Sequence, residues 1–350
     1  MTRALILGGT GVIGRAIALH LATAGWHVRV TGRNPGNMPS ELIAAGVRFV
    51  AVDRCDRRRL HAVLGSGLDL LVDCVCYTGG DAHVLVELAH HATSTVLMSS
   101  KAVYVDAEGN HANSEIKPRF DGPLHESASV MPPGDLDDNS REGYGANKVA
   151  AENVALDSGL RISVLRPSLV HGIGARRPRE WVFVKRVLDR RPAVLLANRG
   201  AGVIHTTAAA NIAALVETVA RRPGARILNI ADPDYPTAAE ISRMITHHLG
   251  YRWAEVPLQT AEHPTLGATP WDTPDPVTLD TGAAVALGYQ PAGNYADTVR
   301  AQNDWLVSTA RSDDPAQLLP QPDDRYFSRF FNYPEEDRYF AQHLRALSQL

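Results

Sequence analysis

A chain of 350 residues, 45% of them apolar, has material for one large or two modest globular domains with an ample core. With 35 basic against 38 acidic residues, the net charge of −3 gives no general attraction to nucleic acid, and no run approaches the roughly 18 consecutive apolar residues of a membrane span. Cys55, Cys74 and Cys76 are odd in number and two lie in an apolar run, so they read as reduced core thiols and not as a disulfide framework or a metal site. The pairs His90-His91 and His247-His248 are not natural chelates either, because adjacent residues on a helix point in different directions.

Met1-Thr2-Arg3 leads straight into an apolar run, which leaves no room for a signal peptide and implies a cytoplasmic protein. Ala4 to Leu7 then feed Gly8-Gly9-Thr10-Gly11-Val12-Ile13-Gly14 and a helix-compatible stretch to Ala24. This is strand, glycine-rich turn, helix. Glycine lets such a turn take positive φ and lets backbone approach a ligand closely; the free N–H groups and dipole of the helix then favour an anion such as a dinucleotide pyrophosphate. The spacing Gly8-x-x-Gly11-x-x-Gly14 is one residue longer than the simplest fingerprint, and a tight turn in any doubly wound protein would also satisfy it.

Short β-branched runs follow at 28–30, 47–52, 68–76 and 95–98, separated by helix-compatible stretches at 40–45, 57–64 and 81–91. Strands alternating with helices imply a parallel sheet covered on both faces, with ligands bound beyond the carboxyl ends of the strands. The end of the second strand selects the cofactor. An acidic residue there would take the adenosine ribose of NAD, whereas Arg33 in Thr31-Gly32-Arg33-Asn34 suits the 2′-phosphate of NADP; an ordinary exposed arginine is the alternative. Asp53, closing the third strand, either meets the adenine amino group or caps the next helix.

After the fifth strand comes Ser99-Ser100-Lys101-Ala102-Val103-Tyr104, then a polar, aperiodic stretch from 106 to 140 rich in Pro and Gly, placed where a lid over a substrate would sit. The helix beyond it carries Tyr144 and Lys148, four apart and therefore on one face. A phenol ordinarily titrates near 10, and a fixed ammonium beside it favours its anion. Lysine's compact charge suits that task and could hold ribose hydroxyls as well. A chain with 31 arginines and four lysines has kept lysine at 148.

The sixth strand, Ile162 to Leu165, ends at Arg166-Pro167. Beyond it lie an arginine-rich loop (Arg176, Arg177, Arg179), helices at 181–188 and 208–221, a strand at 226–230, and a helix opened by the capping box Thr237-x-x-Glu240 and stopped by Gly250. Residues 312–324 read as a linker. Tyr326, Phe327, Phe330, Phe331, Tyr333, Tyr339 and Phe340 then place seven of 22 aromatics in 15 residues, a cluster that must be buried on its own chain or, as a homodimer contact, on a second copy.

In combination these residues resemble the extended short-chain dehydrogenase/reductase superfamily, the NAD-dependent epimerases and dehydratases, over about residues 3–310. The matching features are the Gly8/Gly11/Gly14 turn, Asp53, Ser100 four before Tyr104, Tyr144-x-x-x-Lys148, Leu165-Arg166-Pro167 and His205-Thr206-Thr207. The resemblance implies Tyr144 as general acid/base, Lys148 as its tuner and ribose ligand, and Ser100 as hydrogen-bond donor to the reacting oxygen. The implied cofactor-binding set is Gly8, Thr10, Gly11, Val12, Ile13, Gly14, Arg33, Asp53, Arg54, Cys76, Tyr144, Lys148, Pro167 and Val170, with no metal.

The expected fold is therefore α/β: a Rossmann-type doubly wound parallel sheet with a smaller C-terminal α/β substrate-binding region. Residues 1–170 form the dinucleotide domain, 171–310 mainly the substrate region with 203–230 returning to the core, and 311–350 an aromatic tail. Two departures from the family matter. Lys101-Ala102 stands where nucleotide-sugar dehydratases place an acidic pair, and no arginine precedes His205 in 200–204 to grip a diphosphate. The expected function is an NADP(H)-dependent reductase or dehydrogenase, NAD being the other cofactor, acting on a small-molecule carbonyl or secondary alcohol without nucleic-acid or membrane partners. The competing expectations are a sugar or nucleotide-sugar epimerase and a non-catalytic dinucleotide-sensing or RNA-binding relative.

Overall fold

The computed structural model describes residues 2–137, 140–259, 263, 265–312, 319–321 and 324–347. Most of the expected 312–324 linker, and positions 138 and 139 of the lid-like stretch, lie outside them. In chain order the elements are β1 (Arg3–Leu7), α1 (Val12–Thr23), β2 (His27–Gly32), α2 (Ser40–Ala44), β3 (Arg48–Ala51), α3 (Arg57–Leu64), β4 (Leu68–Asp73), α4 (Gly79–Ala89), β5 (Ala92–Met98), α5 (Gly143–Asp157) and β6 (Ile162–Pro167). There follow β7 (Leu169–His171), α6 (Trp181–Leu188), β8 (Ala193–Leu196), β9 (Thr206–Ala208), α7 (Ala209–Arg221), β10 (Arg226–Ile230), α8 (Ala238–His248), β11 (Ala254–Pro257), α9 (Gly282–Ala286), α10 (Tyr295–Ala310) and α11 (Tyr333–Leu347).

Seven strands form one sheet in the order β10-β6-β5-β4-β1-β2-β3, every neighbouring pair parallel. Strand side chains alternate between faces. Ala4 and Ile6 of β1 accordingly join Ile17, Leu21, Ile212 and Val216 on one face, where α1 packs on α7. Leu5 and Leu7 join Leu60, Leu85 and Ala151 on the other, where α4 packs on α5. Burial on both faces is why these strands read as continuous apolar runs. The doubly wound α/β fold expected from the alternation of elements is the fold observed.

The chain divides into two compact units. Residues Met1–Gly172, His205–Asp234 and Val277–Thr298 form one; Ile173–Ile204, Tyr235–Pro276 and Val299–Leu350 form the other. The first contains the seven-stranded sheet together with the short parallel pair β7–β9. A buried bracket closes it: the Asp232 carboxylate accepts from the Thr206 hydroxyl, the Ala208 N–H and the Asn211 amide, and contacts His171 Nε2 at 2.9 Å. Burial works against the charge on Asp232, yet His171 and these donors hold its pKa below the usual carboxylate value.

The described residues of the lid-like stretch contain no helix, but they are stapled to this unit. Tyr104 bridges Val130, Val105 bridges His111, and Leu124 bridges Leu279. Asp106 accepts the backbone N–H groups of Glu108, Asn110 and Arg119, so one carboxylate organises the loop's first turn.

The second unit pairs β8 with β11 and stacks Phe183 of α6 on Trp271, with ring centroids 5.9 Å apart and ring planes nearly parallel. The aromatic tail belongs to it. Phe327, Phe330 and Phe340 are buried, and Arg186 of α6 donates to Glu336 at 2.5 Å and to the Phe330 carbonyl at 2.7 Å. The clustering of aromatics is thus accounted for within one unit.

Candidate active site

At the β1–α1 turn, Gly8 takes φ +75°. A Cβ on Gly14 would lie 2.5 Å from the Gly8 carbonyl oxygen and 2.6 Å from the Gly9 Cα, and one on Gly9 would lie 2.3 Å from the Val30 Cβ. These two glycines let helix and strands meet. Gly11 is different: a Cβ there would meet only the Gly8 oxygen, at an ordinary contact distance of 3.7 Å, so packing does not require a glycine at this position. Gly11 caps α1 without a side-chain hydrogen bond, and the first turn carries no acidic residue. A helix start with no side-chain cap and no acidic residue in its first turn fits an anionic group such as a pyrophosphate. Thr10 Oγ1 lies 3.7 Å from a Cβ built on Gly32, and the Val12 side chain lies 3.2 Å from one built on Gly172, just past Val170.

Beyond the outer strands of the sheet, Arg33 and Asp53 are exposed. The Cys55 N–H donates to Asp53 Oδ1 at 2.8 Å and, aided by the charge of Arg33, holds the Asp53 pKa below its ordinary value. Arg54 turns inward. Its Nη1 donates to both Asp73 oxygens at 2.8 and 2.6 Å, its Nε to Asp81 Oδ1 at 2.7 Å, and its Nη2 to the Asp81 carbonyl at 2.9 Å. Burial opposes that charge, but the carboxylates outweigh it and hold the guanidinium pKa above its usual value. Sequence reasoning missed Asp73 and Asp81. The signal for Asp81 is local: Thr78-x-x-Asp81 is a capping box, formed reciprocally at the start of α4.

On α5, the Lys148 side chain is only 2% exposed. Its ammonium donates to the Cys76 carbonyl at 2.7 Å and the Met98 carbonyl at 2.8 Å, beyond and at the carboxyl ends of β4 and β5. It lies 4.5 Å from the ring centroid of Tyr77 and 5.8 Å from that of Tyr144. Cys76 thus enters through its carbonyl; burial pushes its thiol up, away from reactivity. Ser100 caps a 3-10 turn over Lys101–Val103, its Oγ accepting from the Ala102 N–H at 3.2 Å. Gly145 lets α5 close on this turn: a Cβ there would sit 2.6 Å from the Ala102 oxygen and 2.3 Å from Met131 Sδ.

Behind the pair lies a buried network that periodicity could not reveal. Glu152, one turn past Lys148, accepts from Ser99 Oγ and from Arg166 Nε at 3.0 Å and Nη2 at 2.5 Å. Arg166 also donates to the Glu126 carbonyl, and Asn229 links the Tyr104 hydroxyl to the Leu124 carbonyl. Arg166, Ser99 and Glu126 thereby bind β6, the Ser100 segment and the lid-like stretch to the helix that carries Tyr144. Arg176, Arg177 and Arg179 belong to the other unit, where Arg177 lies over the Tyr326 ring. Among the described residues no group of three or more His, Cys, Asp or Glu is arranged to hold a metal, and no helix is long and apolar enough to cross a membrane.

A family model described as the NAD dependent epimerase/dehydratase family matches residues 4–231, about two thirds of the chain. The chain belongs to that family. This epimerase/dehydratase membership makes the protein one of a family of NAD-dependent enzymes. A curated relative, the uncharacterised protein y4nG of Sinorhizobium fredii, is 24% identical over 315 residues, covering 83% of this chain and 68% of that protein. Among solved structures, dTDP-glucose 4,6-dehydratase from Bacillus anthracis in complex with NAD superposes with a TM-score of 0.66 at 14% identity, covering 88% of this chain and 97% of that one. UDP-glucose 4-epimerase from Stenotrophomonas maltophila, with bound NAD and formylated UDP-arabinopyranose, gives 0.67 at 17% identity, covering 89% and 99%. These similarities establish the fold of the epimerase/dehydratase enzymes over most of the chain.

Proposed function

We propose that this epimerase/dehydratase-family chain is an NADP(H)-dependent oxidoreductase acting on a small carbonyl or secondary alcohol, with Tyr144 as general acid/base, Lys148 as its partner and Ser100 as donor to the reacting oxygen. The observation that carries this reading is the setting of Lys148: a buried ammonium whose burial is offset by hydrogen bonds to two carbonyls, held beside a phenol on the same helical face.

The Gly8–Gly14 turn would hold the pyrophosphate at the start of α1, with Val12, Ile13, Pro167 and Val170 lining the cofactor. Arg33 would meet a 2′-phosphate, which favours NADP over NAD, and Asp53 the adenine. Arg54, spent on Asp73 and Asp81, shapes the floor of that end and adds no free charge to it. A bound dinucleotide supplies the hydride donor or acceptor. Tyr144 moves the proton at the substrate oxygen, and the Ser100 hydroxyl orients that oxygen.

A second reading, a sugar or nucleotide-sugar epimerase, has the support of the UDP-glucose 4-epimerase similarity. The same three residues would serve it, with the cofactor retained between turnovers. Thermal unfolding with NADP, NADPH, NAD and NADH in turn should show the larger rise in Tm with the phosphorylated pair. Tyr144→Phe should keep that rise while turnover on a carbonyl panel falls about 10²- to 10⁴-fold. Unchanged turnover would overturn the role of Tyr144, and dinucleotide that co-purifies and shows no net absorbance change during turnover would select the epimerase.

A further inference from the structure

The mechanism above leaves Tyr77 without a task, although it is a large aromatic side chain, 41% exposed, set against Lys148 and Tyr144. We propose that Tyr77 is a positioning residue that acts on the dinucleotide through Lys148; this rests on the reading of Lys148 as the ligand of the nicotinamide ribose. A lysine ammonium has three N–H donors. Two are committed, to the carbonyls of Cys76 and Met98, and the Tyr77 ring stands 4.5 Å from the same nitrogen, well inside the range of a cation–π contact. One two-residue step therefore does two jobs: Cys76 contributes an oxygen, and the next residue contributes a ring.

The step that presents this ring is unusually constrained. The Tyr77 N–H donates to Asp81 Oδ2 at 2.8 Å, Thr78 caps α4, and Asp81 is held at 2.7 Å by Arg54, itself clamped to buried Asp73. The ring is thus mounted on a rigid segment reaching back to the loop after β3. It lies 6.5 Å from the Tyr144 ring, tilted by 49°. Two carbonyls and an aromatic face together restrict the ammonium to one site and shield it from water, so that its remaining donor capacity is preorganised for a ribose hydroxyl. A lysine stem has four rotatable bonds, and without the ring the ammonium would regain freedom that binding must then remove.

The test is dinucleotide affinity, which needs no knowledge of the substrate. The Kd of NADPH or NADH, whichever the unmodified chain binds more tightly, is measured by nicotinamide fluorescence for Tyr77→Phe, Tyr77→Leu, Lys148→Met and the Tyr77→Leu/Lys148→Met double variant. Phenylalanine keeps the ring and should stay within about twofold, whereas leucine should weaken binding about tenfold, as loss of a cation–π contact to a buried ammonium implies. In the Lys148→Met background leucine should add less than about twofold, because the two residues act as one unit. Tyr77→Ala reads the same contrast if leucine disturbs folding. Equal affinities for the phenylalanine and leucine variants overturn the proposal, as does a tenfold loss that persists without Lys148. If Lys148→Met alone leaves Kd unchanged, the ribose role of Lys148 falls, and the role of Tyr77 falls with it.

Discussion

The two halves of the candidate site are built by opposite means. The turn after β1 works by omission: glycines admit close packing at Gly9 and Gly14, whereas at Gly11 a Cβ would make only ordinary contact with the Gly8 oxygen. The start of α5 works by commitment. Around Lys148 two carbonyls and two rings surround one ammonium, and a buried Glu152–Arg166 pair stands behind it. A phosphate needs room and N–H groups, whereas a proton donor needs its position fixed before the substrate arrives. The first half should therefore tolerate little added volume, and the second little loss of a partner.

The largest effect is expected where a committed partner is removed. Arg166→Met leaves Glu152 buried without its cation and should cost about 3–5 kcal/mol in urea unfolding. A loss below about 1 kcal/mol would mean that the proposed catalytic half is less wired than its geometry implies. A smaller effect should separate two glycines of the turn. Gly14→Ala drives a methyl group into the Gly8 and Gly9 backbone and should destabilise by about 1–3 kcal/mol, whereas Gly11→Ala should change stability by less than about 0.5 kcal/mol and weaken dinucleotide binding instead. Equal losses of stability would erase the distinction between glycine for packing and glycine for a ligand.

The smallest effect concerns His205. Its Nδ1 accepts from the Leu279 N–H at 3.1 Å and its Nε2 donates to the Asp232 carbonyl at 2.8 Å, so the ring is neutral in the fold, and burial lowers its pKa from 6.5. The unfolded chain then binds more protons below pH 6.5, and stability should be complete above that value and fall as the pH drops beneath it, by at most about 1.4 kcal/mol per unit. The difference in slope between the wild-type chain and His205→Gln over pH 5–6.5 measures it. Asp232, with its own lowered pKa, acts only in a more acidic window.

Much of the fold was legible because it repeats locally. Alternating apolar runs gave β1 to β6 and the intervening helices, Trp181–Leu188 was read to the residue, and the Thr237–Glu240 capping box formed as expected. Tyr144 and Lys148 could be paired because helical spacing is a local rule. What escaped depends on distance along the chain. Arg54 meets Asp73 and Asp81 across 19 and 27 positions, and Tyr104 meets Asn229 across 125; no periodicity encodes such partners. Tyr77 was missed for a related reason, since only folding brings it over a lysine 71 positions later. The second unit was hard to outline because three separate segments compose it, and residues 277–298 return to the first.

Asn147 stands between Tyr144 and Lys148 in sequence, and its amide both accepts from the Leu136 N–H at 2.8 Å and donates to the Leu136 carbonyl at 2.7 Å. A few residues earlier, the Gly134 N–H donates to the Ala146 carbonyl at 3.1 Å. The long polar stretch is therefore not a flap hung beside the helix but a strap buckled to it between the two proposed catalytic residues. Three hydrogen bonds thus tie residues 134–136 to one turn of α5, so the position of that end of the strap and the placing of the phenol and the ammonium are set by the same helical turn.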